Sequence, residues 1–302
     1  MNLLTSHFNH QLIAAGFPDN LRIEWSLGYS QGDGVAFYGA IEHTCWLELF
    51  QRIYPNRKRQ YRKFERLAKS LIEWQNYWDS LIKIECNAFG YRYSHFNTME
   101  LNAPNADDFR FFSDERAKKF WYFSADNVGK YQALWDNFVV DLSDYIRDIS
   151  QQLAREGYRI IEATPYQKEV AYKFETANYR VEFITEPHEF YANHFETFMY
   201  DCDFEDMESL CRAVLNDTRI ANVYAQVLDR ETGIVLGKDY FGYLTYHKND
   251  RTFGGYLPIL IRGAIKAARA PNGLISRQAR LMQKNQLHIG TSNIKESMKF
   301  IG

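Results

Sequence analysis

No stretch of this sequence comes near the ~18 uninterrupted apolar residues that a membrane-crossing helix needs. The longest apolar windows, such as Tyr256–Ile261, are short and soon interrupted by charge. Cysteine is scarce: Cys45, Cys86, Cys202 and Cys211 are the four in 302 residues. Their spacing matches neither a disulfide framework nor a common zinc pattern, so reduced thiols are expected. Met1–Gly16 holds neither a basic leader nor the apolar core of a signal peptide. The expectation is a cytoplasmic protein with no membrane partner. Proline and glycine are few, 7 and 17, and with 46% hydrophobic and 25% charged residues the composition excludes a disordered or fibrous chain. A nucleophile elbow, a Gly-rich nucleotide loop and a zinc knuckle are all missing. A non-catalytic protein without cofactor or metal is therefore expected.

What the sequence has in excess is aromatic side chains and a lopsided distribution of charge. Phe, Tyr and Trp make up 16% of the chain. Eleven fall among the 35 residues from Phe89 to Phe123, including Phe109, Phe111, Phe112, Trp121 and Tyr122. Phe109-Arg110-Phe111-Phe112 and Phe120–Phe123 do not alternate, so no single-faced strand buries all of them. They are either core or a protein interface, where Phe, Tyr, Trp and Arg are enriched. The net charge of −2 hides a split. From Arg262 onward there are eight bases, among them Arg277, Arg280 and Lys284, and one acid, Glu296. That end carries +7 and the rest −9, which weighs against general binding of nucleic acid.

The periodicity alternates between strands and helices in blocks. Met1–Ala15 carries Leu4, Phe8 and Leu12 at helical spacing. Leu21–Ser30 and Val35–Ile41 read as a hairpin around Asp33-Gly34. His43–Tyr54 and Lys58–Trp78 read as helices, Leu81–Ala88 and Tyr91–Leu101 as a hairpin around Phe89-Gly90. Asn127–Glu156 is the longest helix, with Gly157 placed to cap it. Beyond Pro165, Lys168–Glu175 pairs with Tyr179–Thr185 and Ile220–Asp229 with Ile234–Tyr246, with helices at Met207–Leu215 and Gly255–Ala268. Hairpins followed by helices give an α+β fold of antiparallel sheets packed with helices. Two subdomains are expected, 1–160 and 161–270, followed by a basic tail, 271–302.

Three clusters are candidates for chemistry. Gln31-Gly32-Asp33-Gly34 presents a carboxylate among glycines, as a ligand loop or as a turn. His188, Glu189, His194 and Glu196 hold metal-ligand residue types, but the spacing fits no zinc helix and no third ligand is evident. A metal-dependent or nucleic-acid-processing enzyme using Asp33 with His188 or His194 is the catalytic alternative. Arg57, Lys58, Arg59 and Arg62 make the densest basic cluster, interrupted by Tyr61, on the exposed side of an amphipathic helix. Together with Phe109, Phe111, Phe112, Trp121, Tyr122, Arg277, Arg280 and Lys284, these four are the candidate partner-binding residues.

The run Trp25-Ser26-Leu27-Gly28-Tyr29-Ser30-Gln31-Gly32-Asp33-Gly34-Val35-Ala36-Phe37-Tyr38-Gly39 resembles one in many bacteriophage-encoded proteins, often described as antitoxin-like. Asp239–Tyr243, Phe253–Leu257 and Ile261–Arg269 resemble the closing region of similar phage proteins. In size and aromatic content the chain also resembles phage anti-defence proteins that block the Gabija nuclease system. The resemblance implies a non-enzymatic, self-associating inhibitor in the host cytoplasm that binds a bacterial defence complex. An antitoxin-like binding protein is the other reading it supports. It assigns no catalytic residue.

Overall fold

The computed structural model describes residues 3–30, 32–74, 81–87, 98–105, 128–188 and 204–270. Six helices are described: α1 (Leu3–Ala14), α2 (His43–Ile53), α3 (Lys58–Trp74), α4 (Val128–Ile161), α5 (Phe204–Leu215) and α6 (Tyr256–Arg269). Eight strands form two sheets. β1 (Arg22–Ser26), β2 (Gly34–Ile41), β3 (Ile82–Cys86) and β4 (Met99–Asn102) make one; β5 (Glu169–Glu175), β6 (Tyr179–Glu186), β7 (Thr218–Asp229) and β8 (Val235–His247) make the other. Each sheet follows chain order and is antiparallel throughout. The fold is α+β. No helix among the described residues is long and apolar enough to cross a membrane.

The chain divides into two compact units: among the described residues one takes in those up to Arg159 together with 204–208, and the other takes in 160–188 and 209–270. In the first, β2 lies inside the sheet, and Val35, Ala36, Phe37 and Tyr38 are all buried. Burial of consecutive residues means that both faces of the strand are covered. The helices present apolar stripes: Trp46, Leu49 and Phe50 on α2, Phe64 and Leu67 on α3, and Trp135, Phe138, Leu142 and Ile146 on α4, all buried. Phe50 and Phe64 stack with ring centroids 4.4 Å apart, and Phe138 lies 4.5 Å from Phe64. The buried indoles keep their N–H groups satisfied, Trp46 donating to the Ile41 carbonyl at 2.8 Å and Trp135 to the Pro104 carbonyl at 2.7 Å. His7 of α1 meets Glu156 of α4 at 2.9 Å.

Two sequence expectations are corrected here. Gly157 lies inside α4, which continues to Ile161. Its role is close approach: a Cβ there would lie 2.5 Å from Leu27 Cδ1 and 2.8 Å from Phe8 Cζ, so only hydrogen fits. In the second hairpin Cys86 stands opposite Met99, so the pairing of β3 with β4 is centred beyond Phe89-Gly90. Those two residues lie outside the described ones.

In the second unit α6 covers one face of the sheet. Val181, Phe183, Val223, Ala225, Val227 and Leu236 meet Leu260, Ala264 and Ala268, three α6 residues four apart on one stripe. Gly237 allows the contact, since a Cβ there would lie 2.3 Å from the Ala268 nitrogen and 2.4 Å from the Ala264 oxygen. Pro258 falls in the first turn of α6, where its missing N–H removes no helical bond. Asp229 closes the β7–β8 turn by accepting from the Thr232 N–H and hydroxyl, both at 2.9 Å.

Candidate functional site: a basic groove between α2 and α3

The sequence around Pro55-Asn56 breaks one amphipathic helix into two, and the pair folds back with Phe50 stacked on Phe64. On the solvent side this leaves a groove of about 940 Å³. It is lined by Thr44, Leu47, Glu48, Gln51, Arg52, Tyr54, Pro55, Arg57, Lys58, Tyr61, Arg62 and Glu65. Arg57, Lys58 and Arg62 from the predicted basic cluster thus share one concave surface. Arg59 is exposed but is not part of the lining.

Charge within the groove is uneven. Glu48 is paired with Arg52 at 3.2 Å, and Glu65 with Lys69 at 3.2 Å. Among the described residues Arg57, Lys58 and Arg62 have no acidic partner. Arg57 is positioned: its guanidinium carbon sits 4.6 Å from the centre of the Tyr54 ring, a cation–π contact. Tyr54 is fixed in turn, its hydroxyl donating to the Asp141 carboxylate of α4. Burial and the adjacent Asp141 charge push the Tyr54 phenol well above its ordinary range, so it stays a neutral donor. The first turn of α3 has no acid at all. Placing bases where the helix dipole is already positive disfavours the free state by ~0.3–1 kcal/mol per charge, a cost that an incoming anion removes.

The Asp33 loop behaves differently. The expected hairpin forms, but β1 stops at Ser26, paired with Gly34, so its connection runs from Leu27 to Asp33 and is longer than the four residues 31–34 marked in the sequence. One Asp33 oxygen accepts from the Ser26 and Ser30 hydroxyls, and the other from the Ser30 N–H and the Tyr158 hydroxyl, each at 2.8 Å. Burial alone would raise this carboxyl, but the four donors outweigh it and hold Asp33 well below the usual carboxylate range. A carboxylate so committed has no lone pair left to serve as a base or a metal ligand. Its work is to hold the loop, on which Tyr29 stands 67% exposed at a positive φ of 59° against Tyr158.

Asp33→Asn is expected to destabilise the first unit by about 1–2 kcal/mol, because the amide turns N–H toward donors. The sign with pH follows from the lowered carboxyl. The stabilisation is complete above the unfolded value near pH 4 and fades as pH falls through the lower folded value, so the variant's deficit should shrink in acid. Urea unfolding at pH 7 and below pH 3 checks both.

The remaining candidates separate as follows. The ring of His188, in the second unit, packs edge-on against Tyr243 at 4.9 Å, and the His188 backbone N–H donates to the Thr164 hydroxyl at 3.2 Å. Asp33 and His188 belong to different units. His194, Phe109, Phe111, Phe112, Trp121, Tyr122, Arg277, Arg280 and Lys284 lie outside the described residues. Cys45 is half-buried, Cys86 exposed and Cys211 buried, and none of the three is in a disulfide. No group of three or more metal-ligating side chains occurs among the described residues. Sequence reasoning missed Tyr54, Tyr61, Arg52 and Gln51 as lining of the groove. The signal that could have found them is the Pro55-Asn56 break, which brings residues on both sides of it to one surface. No family model, curated protein or solved structure matches the chain.

Proposed function

We propose that this protein acts without catalysis, by seating an acidic segment of a partner protein in the α2–α3 groove. The observation that carries the reading is the set of three cations, Arg57, Lys58 and Arg62, that have no acidic partner among the described residues and share one large concavity whose acids are already paired. The groove offers donors and cations, with Tyr54 and Tyr61 as aromatic walls. That set suits recognition of carboxylates more than bond-making. The net −9 outside the C-terminal segment repels an extended polyanion such as nucleic acid more than a short acidic segment whose charge is confined to the groove. The partner class we propose is the one implied by the phage resemblance, a bacterial defence complex held in the host cytoplasm. Self-association, with the acidic body of a second copy competing for the same groove, belongs to this proposal.

The test is capture from host lysate with mass spectrometry, using the whole chain and the variant Arg57→Glu/Lys58→Glu/Arg62→Glu. The whole chain should retain a defence component, and the variant should bind it at least a hundredfold more weakly with unchanged thermal unfolding. Retention by both would move the interface elsewhere. A clean monomer by light scattering that captures no defence component overturns the whole reading. Displacement of the captured component by single-stranded DNA would assign the groove to nucleic acid instead.

A further inference from the structure

The second unit contains a cavity of different character from the groove. It holds about 300 Å³ at the C-terminal end of α6. The sheet contributes Phe174, Val181, Val227 and Leu236, and α6 contributes Ile265 and Arg269. Polar groups are few. The Thr176 hydroxyl at its edge is already bound to the backbone of Tyr179. Arg269 is exposed and has no acidic partner among the described residues. The lining is therefore mostly apolar, and Arg269 is its one charged residue.

That pairing of surfaces has a chemical meaning. An apolar concavity near 300 Å³ is at the small end of ligand sites, which orient their ligand by a few placed polar groups. A guanidinium presents two parallel N–H donors, matched to a carboxylate. The geometry points to a site for a medium-chain alkyl carboxylate, its chain among Val181, Val227, Leu236 and Ile265 and its head on Arg269. The site stands on the second unit alone and is independent of the groove between α2 and α3.

Calorimetric titration of the full-length protein with decanoate, octanoate and decylammonium tests it. Decanoate should bind saturably. Octanoate should bind about 15-fold more weakly, the loss of two methylenes at ~0.8 kcal/mol each. Decylammonium should bind at least tenfold more weakly than decanoate. Arg269→Ala should erase the preference between the two heads while chain-length dependence remains. Val227→Phe, which fills the cavity, should abolish binding, with circular dichroism reporting that the protein is folded. Absence of saturable decanoate binding to the folded protein overturns the site. Equal binding of the two heads, or an unchanged preference in Arg269→Ala, overturns the assignment of the head group and leaves Arg269 serving only the helix end.

Discussion

Gly237→Ala is expected to cost the second unit about 3 kcal/mol, at the upper end of what overpacking does in a close-packed core. The added methyl would sit 2.3 Å from the Ala268 nitrogen, 2.4 Å from the Ala264 oxygen and 2.8 Å from the Ala268 Cα. These are backbone atoms of α6, so no rotamer change relieves the clash. The helix must move off the sheet, and Leu260, Ala264 and Ala268 lose their contacts with Val223, Val227 and Leu236 together. Gly129→Ala is the control. That glycine lies in the first turn of α4 with open space where a methyl would stand, so alanine there should stabilise by up to about 1 kcal/mol through helix propensity. Denaturant unfolding followed by far-ultraviolet circular dichroism reads both. An unchanged Gly237→Ala midpoint would mean that α6 is not seated as described.

Phe64→Ala should destabilise the first unit by about 3–5 kcal/mol, the range for emptying a fully buried aromatic site. Phe64 is 0% exposed and has Phe50, Phe138 and Trp135 rings at 4.4, 4.5 and 6.2 Å. It joins α3 to α2 and to α4 at once, so the cavity left behind cannot close without moving a helix. The functional consequence is specific. Arg57 is held over Tyr54 on the α2 side, whereas Lys58 and Arg62 ride on α3. Loosening α3 separates the three cations, and partner affinity should fall at protein concentrations and temperatures where circular dichroism still reports a folded chain. Phe64→Leu keeps most of the volume and should retain both stability and binding to within about 1.5 kcal/mol. Equal binding by wild type and Phe64→Ala would separate the groove from function.

The α+β class was legible because alternation with period two and stripes with period 3.6 leave distinct marks. β6 and β7 bury one face under α6, and their alternation survives in Val181, Phe183, Val223, Ala225 and Val227. The α6 stripe Leu260, Ala264, Ala268 is equally plain. What misled were glycines and turns. Gly157 has the residue type of a helix cap, yet it serves a contact with Leu27 and Phe8, residues 130 and 149 positions away in sequence, which no local pattern records. Gln31-Gly32-Asp33-Gly34 carries the residue types of a short turn. The carboxylate instead collects donors from Ser26, Ser30 and Tyr158, the last supplied by a distant helix, and this stabilises a longer loop.

The candidate site divides along the same line. Arg57, Lys58 and Arg62 stand out in sequence because charge density is a local property. Their meaning depends on which acids neutralise them, and that is a matter of geometry. Glu48 lies nine residues from Arg57 and Glu65 three from Arg62, yet Glu48 pairs with Arg52 and Glu65 with Lys69 along their own helix faces.

By itself the sequence determined the scarcity of cysteine, the lack of long apolar runs, the two kinds of periodicity and the separation of charge. Each follows from residue type and spacing over a few turns of chain. Long-range packing fixed where α4 ends, what Asp33 holds, which bases among the described residues stand without an acidic partner and where an apolar concavity opens at the C-terminal end of α6. Those outcomes depend on contacts between residues far apart in the chain, where packing at ångström separations selects among local conformations of nearly equal energy.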